Sequence, residues 1–192
     1  KEHSIVIYHY SIGSELNDLV MKTPAKRIIR YHSITPHEFF MDKDLKFSKL
    51  LRDGMECLWD FPEFFDISVA TSKYTKSELE TCGFKNTKTI SLPICPSKFK
   101  APLKKNKEDT LGNNINFLFI GRFAPNKGHK ELIYLFHGIK NSFPNSSLIL
   151  IGSYNPNDKY YKEIKSIINK LDLEQSIIIP NHVSNEELQA YY

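Results

Sequence analysis

The sequence predicts an α/β protein with two parallel-sheet domains. Short apolar runs that fit strands alternate with segments of helical periodicity, and this alternation favours parallel sheets. After residue 97 the composition shifts to Lys, Pro, Asn and Gly without an apolar period, which is typical of an interdomain linker. We therefore expect a first domain at residues 1–97, a linker at 98–114 and a second domain at 115–192.

The first domain is predicted to contain four strands and two capped helices. The strands are expected at residues 4–8, 27–31, 67–70 and 89–92. Two capping boxes predict helix starts, one at Thr35-Pro36-His37-Glu38 and one at Thr75-Lys76-Ser77-Glu78. Gly83 fits the C-terminal end of the second helix, and the stretch 42–64 fits neither pattern clearly.

The second domain is predicted to continue the alternation with three strands and three helices. The strands are expected at residues 117–120, 148–151 and 177–179. A helix over about 129–143 and a following helix each carry one apolar stripe at helical spacing. The stripes are Leu132, Leu135, Phe136, Ile139 and Phe143 in the first helix, and Tyr160, Ile164, Ile167, Ile168 and Leu171 in the second. Ser184 opens the last helix with a third capping box.

Two cations follow the strand predicted at 117–120. Gly121 ends the strand, Arg122 comes next, and Lys127 lies in a tight loop that closes at Gly128 before a helix begins. In open α/β sheets, ligands bind at the carboxyl ends of the strands. Because Arg presents a rigid fork to phosphate oxygens and Lys a flexible point charge, the loop is suited to a diphosphate. The alternative is a pair of solvated charges in a polar loop.

These residues resemble a known family. The run FIGRFAPNKGHKELI at 119–133 is similar to the start of the C-terminal domain of the retaining GT-B glycosyltransferases of family 4. The resemblance continues in LILIGSY and IIIPNHVSNEELQAYY, and in the first half through RIIRYHSITP and FDISVATSKYTKSELETCGF. It implies a GT-B fold, in which two Rossmann-like domains face a cleft, with both domains incomplete in this chain.

The resemblance implies a donor site in the second domain. In that family, the residues matching Arg122 and Lys127 contact the diphosphate of a nucleotide-sugar donor, and Gly121 precedes them. The turn at Gly152 and Ser153 borders the donor pocket there, although glycine after a buried strand is also common without function. The family further implies that the segment at His182 and Val183 receives the nucleotide base.

Two further residues of the first domain are candidates for function. His32 follows the strand predicted at 27–31, where a functional side chain would project. The resemblance implies a catalytic role near the donor sugar and acceptor, and the alternative is a histidine bonded to local turn backbone. Gly13, in the loop after His9, permits close backbone approach to a ligand or simply forms an ordinary turn.

The resemblance implies hexosyl transfer from a nucleotide-diphosphate sugar to an acceptor, with retention, as in polysaccharide biosynthesis. A glycan or a lipid-linked saccharide is the expected acceptor. Two alternatives remain open: a non-catalytic nucleotide-binding module, and a sugar-nucleotide epimerase of the same fold. Compared with the family, we expect this chain to be an internal fragment, inactive by itself, that lacks the first strand and a Glu-x7-Glu segment that holds the donor sugar.

No resident cofactor or metal is expected. Asp42-Lys43-Asp44 matches the Asp-x-Asp metal pattern of the other glycosyltransferase fold class, but three residues are a weak signal and solvated carboxylate pairs are common. The seven histidines form no zinc motif, and the sequence lacks a P-loop, GxGxxG and GxSxG. In the resembling class, Arg122 and Lys127 would supply the positive charge that a metal otherwise supplies.

Charge and cysteine content suggest the location. The net charge of +4 suits anionic small ligands or an anionic membrane surface and does not demand nucleic acid. A basic run at 98–107 is either a solvated tether or a contact for anionic lipid, and no apolar run is long enough to span a membrane. Three cysteines, too few and too scattered for a disulfide framework, favour a reducing compartment. We expect a cytoplasmic protein, with contact at the inner membrane face as an alternative.

Overall fold

Every strand pairing in the described part of the chain is parallel. The computed structural model describes residues 4–96, 115–180 and 183–191. It divides into two compact units, Lys1–Ile94 and Cys95–Tyr192, each with its own parallel sheet flanked by helices. The α/β class and the parallel sheets predicted from the sequence are confirmed. The predicted linker at 98–114 lies outside the described residues.

The N-terminal unit has a four-stranded sheet in the order β1-β2-β3-β4. Its strands are β1 (Ile5–Tyr10), β2 (Lys26–Tyr31), β3 (Ile67–Ala70) and β4 (Thr87–Thr89). Its helices are α1 (Leu16–Lys22), α2 (Leu45–Asp60) and α3 (Lys73–Thr81). Consecutive strands are neighbours in this sheet. Because they run parallel, each connection must return to the same end of the sheet, and the helices lie in these connections.

The core of the N-terminal unit lies between the sheet and α2. Tyr10, Tyr31 and Leu58 are at most 1% exposed within it. The Tyr10 hydroxyl donates a 2.6 Å hydrogen bond to the backbone oxygen of Gly54 in α2, which satisfies the one polar atom that this side chain buries. The bond also fixes α2 against the end of β1.

Two of the predicted helix starts in this unit are wrong. The box at Thr35 does not begin a helix, because Pro36 has extended backbone (ψ 128°) and only a short 3-10 turn, His37–Phe40, follows. Helix α3 begins at Lys73, and Ser72 rather than Thr75 is its N-cap. The Ser72 hydroxyl accepts from the Thr75 amide at 3.1 Å and the Thr75 hydroxyl accepts from the Ser72 amide, so Thr75 occupies the third helical position.

The unassigned stretch at 42–64 contains the longest helix of the described chain, α2. Its start is set by Asp44, whose carboxylate accepts a hydrogen bond from the Phe47 amide at 3.0 Å. Strand β4 lies at Thr87–Thr89 rather than at 89–92. Gly83 follows α3 with φ 100°, the backbone conformation that its predicted role at the helix end requires.

The C-terminal unit has a three-stranded sheet in the order β5-β6-β7. Its strands are β5 (Ile115–Ile120), β6 (Ser146–Ile151) and β7 (Ile177–Ile178). Its helices are α4 (His129–Ser142), α5 (Lys159–Lys170) and α6 (Asn185–Gln189). The predicted capping box of the last helix is confirmed, since Ser184 and Glu187 each bond to the backbone amide of the other.

The buried face of α4 differs from the predicted stripe. Phe136 is buried as expected, but Leu135 is 62% exposed and Phe143 is 48% exposed, while His129 and Ile133 are fully buried. Apolar residues on this helix are too numerous to define one face. Ile133 and Phe136 belong to one core cluster with residues of the sheet and of α5, so tertiary packing selects the buried face. Three of the five residues in the predicted stripe of α5 are buried. These are Tyr160, Ile164 and Ile168.

No helix within the described ranges is long and apolar enough to cross a membrane.

Candidate functional site

The loop after β5 is held to the end of β6 by backbone hydrogen bonds beyond the strand ladder. The Gly121 amide donates to the Ile151 oxygen at 2.8 Å, and the Phe123 amide donates to the Ser153 oxygen at 3.0 Å. Arg122 lies between these two donors. The backbone that carries its side chain is therefore fixed on both sides, although the side chain itself is exposed.

Gly152 allows this close approach. A Cβ atom at position 152 would lie 2.0 Å from the backbone oxygen of Gly121 and 2.6 Å from its carbonyl carbon. No side chain fits at those distances, so glycine is a steric requirement of the junction between the two strand ends. This gives Gly152 a structural role, and its predicted position beside a donor pocket stays a prediction.

Lys127 is presented by a short turn that leads into α4. Pro125–Lys127 forms a 3-10 turn in which the Lys127 amide donates to the Ala124 oxygen at 3.0 Å. Gly128 then adopts φ 72°, a left-handed conformation in which a side chain would be strained, and α4 begins at the next residue. Arg122 and Lys127 thus lie on one loop that runs from the carboxyl end of β5 to the N-terminus of a helix.

Both cations are exposed, and neither has an ion-pair partner among residues 4–96, 115–180 and 183–191. The helix N-terminus adds a partial positive charge and unpaired amide groups at the same place. An anionic ligand here would meet two positive side chains that form no ion pair within the described residues, while the Glu131 carboxylate lies close to Gly128 in the first turn of α4. The loop after β5 is therefore chemically suited to bind phosphate groups.

His129 packs against the aromatic residues of this loop and of β5. Its fully buried ring stacks on Phe123 with centroids 4.4 Å apart and meets Phe119 edge-on at 5.0 Å. Burial lowers the pKa of His129 below its ordinary value of 6.5; the Gly121 carbonyl opposes this shift but lies outside hydrogen-bond geometry of either ring nitrogen. The neutral ring thus joins the residue after Arg122 to the first turn of α4. His129 is not among the residues predicted from the sequence, because it has an ordinary position at the start of a predicted helix.

Of the two residues predicted to receive the nucleotide base, the structure describes Val183. His182 lies outside the described residues. Val183 is half-buried just before α6, and Ser153 is exposed with its backbone oxygen engaged by the Phe123 amide. Their contacts with a donor stay predictions.

In the N-terminal unit, the carboxyl ends of β1 and β2 bring two histidines together. His9 Nδ1 and His32 Nε2 are 2.9 Å apart and share a hydrogen bond, and the rings stack with centroids 5.0 Å apart. The His32 amide also donates to the Tyr10 oxygen at 2.9 Å. Sequence reasoning noted that each histidine follows a strand but not that they touch. Their places at the ends of adjacent parallel strands were the available signal.

The surroundings of His32 disfavour its charged form. The pKa of His32 is lowered by partial burial, then by His9 and by Arg30. Because the pair shares one hydrogen bond, one ring must act as donor and the other as acceptor. A neutral His32 with an orientation fixed by His9 can therefore donate or accept one hydrogen bond toward a ligand. Its predicted catalytic role stays a prediction.

Ser33 links His32 to α3. It has a left-handed backbone (φ 66°), and its hydroxyl donates to the Glu78 carboxylate at 3.1 Å. Burial raises the pKa of Glu78. The strained turn and its carboxylate partner fix the direction of the chain after His32.

Gly13 has a packing role. A Cβ atom at position 13 would lie 3.2 Å from the Gly54 amide nitrogen in α2, and a Cβ at position 54 would lie 2.4 Å from the Gly13 nitrogen. The two glycines let the loop after β1 pack directly on the helix backbone. A ligand contact at Gly13 stays a prediction.

The Asp-x-Asp pattern is divided between two roles. The Asp44 carboxylate caps α2, as described above, and Asp42 is exposed in the preceding turn. Within the described ranges, no three His, Cys, Asp or Glu side chains are arranged to hold a metal ion.

Comparison with known proteins finds a sequence family to which the second half of the chain is similar. Residues 101–192 match the family model of the glycosyl transferases group 1. An uncharacterized glycosyltransferase of Methanocaldococcus jannaschii is 26% identical over 128 residues, which span 62% of this chain and 30% of that protein.

Solved structures share the fold over most of the chain. Sucrose-phosphate synthase from Thermosynechococcus elongatus has a TM-score of 0.73 at 16% identity, over 98% of this chain and 47% of the enzyme. Anabaena HepE, solved with UDP, has a TM-score of 0.65 at 17% identity, over 85% of this chain and 44% of HepE. At such identities the likeness establishes the GT-B type of α/β fold. This chain spans less than half the length of each of these relatives.

Proposed function

We propose that the chain is part of a retaining family 4 glycosyltransferase that moves a hexosyl group from a nucleotide-diphosphate sugar to a glycan or a lipid-linked saccharide. The observation that carries the proposal is the loop after β5. Its exposed cations, Arg122 and Lys127, meet a helix N-terminus on backbone that is hydrogen-bonded to β6. The match of residues 101–192 to the glycosyl transferases group 1 supports it.

UDP is the first nucleotide to test. HepE of Anabaena has been solved with UDP and with UDP-glucose, and it shares the fold of this chain. In the proposed complex, Arg122 would grip the diphosphate oxygens with its planar fork, and Lys127 would add a second charge from the other end of the loop. Both groups would act most strongly as charge builds on the leaving diphosphate.

No metal ion is needed in this proposal. Two side-chain cations and the α4 N-terminus provide positive charge where a divalent metal would otherwise sit. His32, kept neutral and oriented by His9, would hydrogen-bond the donor sugar or the acceptor hydroxyl.

The test is UDP binding to the 192-residue chain, measured by calorimetry with Arg122→Ala. A hydrogen bond to a charged group is worth about 1.5–3 kcal/mol, so the substitution should weaken UDP about tenfold to a hundredfold. Lys170→Ala is the matched control. It removes one exposed positive charge from the last residue of α5, about 14 Å along that helix from Tyr161, whose ring touches Phe123.

Equal UDP affinity in Arg122→Ala and the parent chain would reject the diphosphate site. An equal loss in Lys170→Ala would reduce the effect to general electrostatics. Binding alone does not separate a transferase from a non-catalytic nucleotide-binding module. Product formation from UDP-glucose, with the anomeric configuration read by NMR in the protein that carries this chain, decides both transfer and retention.

A further inference from the structure

A pocket of about 310 Å³ lies in the N-terminal unit, apart from the loop after β5. One wall is the segment that follows β2, from Ile34 to Glu38, and the other is the second half of α2 with Glu78 of α3. This volume lies at the lower end of the roughly 300–1,000 Å³ typical of small-molecule sites. None of the functional residues predicted from the sequence lines it.

The base of the pocket is apolar. Ile34 is 2% exposed and Leu51 is 3% exposed, and Met55 adds a half-buried side chain. Trp59 lines the same pocket from the last turn of α2 with 55% of its surface open to solvent. A large indole left exposed beside an apolar pocket offers a flat surface to a ligand.

The rim of the pocket carries hydrogen-bonding groups. Glu38, Glu56 and Glu78 contribute carboxylates, Arg52 contributes a guanidinium, and His37 contributes an imidazole that lies 3.7 Å from the Glu38 carboxylate. Arg52 pairs with Glu56 at 3.8 Å, but both side chains are at least half exposed, so this surface pair is weak and can open for a ligand. The pocket thus combines an aromatic face with several acceptors and one donor fork.

We infer that this pocket binds a neutral saccharide unit. A pyranose ring presents an apolar C–H face, which suits the Trp59 indole, and a rim of hydroxyls that can donate to carboxylates. Three carboxylates outnumber the guanidinium of Arg52 and the imidazole of His37. They disfavour a phosphorylated or otherwise anionic ligand, because like charges repel in a partly desolvated site. The charge of the pocket is thereby opposite in character to that of the loop around Arg122 and Lys127.

The pocket is tied to His32 through one side chain. Glu78 lines the pocket and accepts the hydrogen bond of Ser33, the residue directly after His32. If the chain belongs to a transferase as proposed above, the pocket provides an acceptor subsite beside the candidate catalytic histidine. Saccharide binding itself does not depend on that assignment.

Trp59 is the single tryptophan of the chain, so its fluorescence reports on this pocket directly. We would titrate the 192-residue chain with glucose, glucose 6-phosphate and maltotriose, and with the methyl α-glycosides of glucose, mannose, galactose and N-acetylglucosamine. At least one should change the Trp59 emission saturably, with a dissociation constant on the order of 1 mM for a single ring. Glucose 6-phosphate should bind more weakly than glucose.

Glu56→Ala and Glu80→Ala form a matched pair of variants. Each removes an exposed carboxylate that pairs with a cation four residues earlier on its helix. Glu56 lies 3.8 Å from Arg52, and Glu80 lies 3.5 Å from Lys76. Only Glu56 lines the pocket. Glu56→Ala should weaken the saccharide about tenfold, and Glu80→Ala should leave the affinity unchanged.

The inference is overturned if no saccharide gives a saturable change, if both variants lose affinity equally, or if glucose 6-phosphate binds more tightly than glucose. The UDP titration separates this inference from the proposed function. Loss of the Trp59 response with UDP binding intact would reject the pocket alone, and saccharide binding without UDP binding would reject the diphosphate site alone.

Discussion

Gly152→Ala should be one of the most damaging single-atom additions to the C-terminal unit. The new Cβ would lie 2.0 Å from the Gly121 oxygen and 2.6 Å from its carbonyl carbon, and both of those atoms belong to backbone. A flexible side chain could turn away from such a contact, but the end of β5 can only move as a whole. We therefore expect the two strand ends to separate by more than 1 Å, on the order of the overlap removed.

The magnitude follows from what that separation breaks. Two hydrogen bonds hold the strand ends, from Gly121 to Ile151 and from Phe123 to Ser153, and each contributes about 0.5–1.5 kcal/mol. Overpacking of the remaining contacts adds about 1–3 kcal/mol. The free energy of unfolding should thus fall by about 2–6 kcal/mol. UDP affinity should fall with it, because Arg122 lies between the two broken bonds.

Urea denaturation followed by circular dichroism measures the loss, which corresponds to a shift of about 1–3 M in the midpoint at an m-value of about 2 kcal/mol/M. Gly138→Ala is the matched control. It makes the same substitution in α4, where a Cβ would have no atom within 4 Å, and it should raise stability by about 0.5–1 kcal/mol.

The reasoning is refuted if Gly152→Ala unfolds at the same urea concentration as the parent chain. It is also refuted if Gly138→Ala destabilises as much as Gly152→Ala, since the effect would then come from any added methyl group. Hydrogen exchange of the β6 amides should locate the damage at the carboxyl end of that strand.

Two further predictions concern protons and metals. Burial lowers the pKa of His129 and of His32, so below about pH 6.5 the unfolded chain binds protons that the folded chain does not. The free energy of unfolding should therefore keep its full value above about pH 6.5 and decline as the pH falls below it. His129→Phe keeps an aromatic ring beside Phe123 and should make thermal unfolding less dependent on pH; an unchanged slope would exclude His129 as its source. UDP binding should be the same with and without EDTA, because Asp44 is engaged as a helix cap and, in the proposed site, Arg122 and Lys127 would supply the positive charge. Loss of UDP on chelation, with recovery on adding manganese, would contradict a metal-independent site.

Much of the fold follows from patterns local in the sequence. Ile67–Ala70 is a strand within the predicted bounds, and the loop with Arg122 and Lys127 falls between a strand and a helix as predicted. The capping box at Ser184 is also local, since its two hydrogen bonds join residues three apart. Such features depend on a few neighbouring residues. Their backbone preferences and the reach of their side chains follow from the residue types alone.

Local signals fail where two neighbours offer the same chemistry. Ser72 and Thr75 are both good caps, and the earlier one begins α3 because the two side chains together form the capping box. At Thr35 the signals for a helix start were present, yet the chain forms only a short turn after Pro36. On α4 several apolar residues could face the core. Tertiary packing of the helix decides that Leu135 faces solvent.

The candidate sites themselves depend on tertiary structure. His9 and His32 touch because β1 and β2 pair in one parallel register, which brings residues 23 positions apart to within 2.9 Å. Gly152 is required because the end of β6 passes against Gly121, and the pocket at Trp59 exists only where α2 lies beside the segment after β2. The sequence determined which residue types stand at the strand ends. The register of the strands and the packing of the helices decided which of them meet, because contacts between distant segments are set by the fold as a whole and not by local backbone preference.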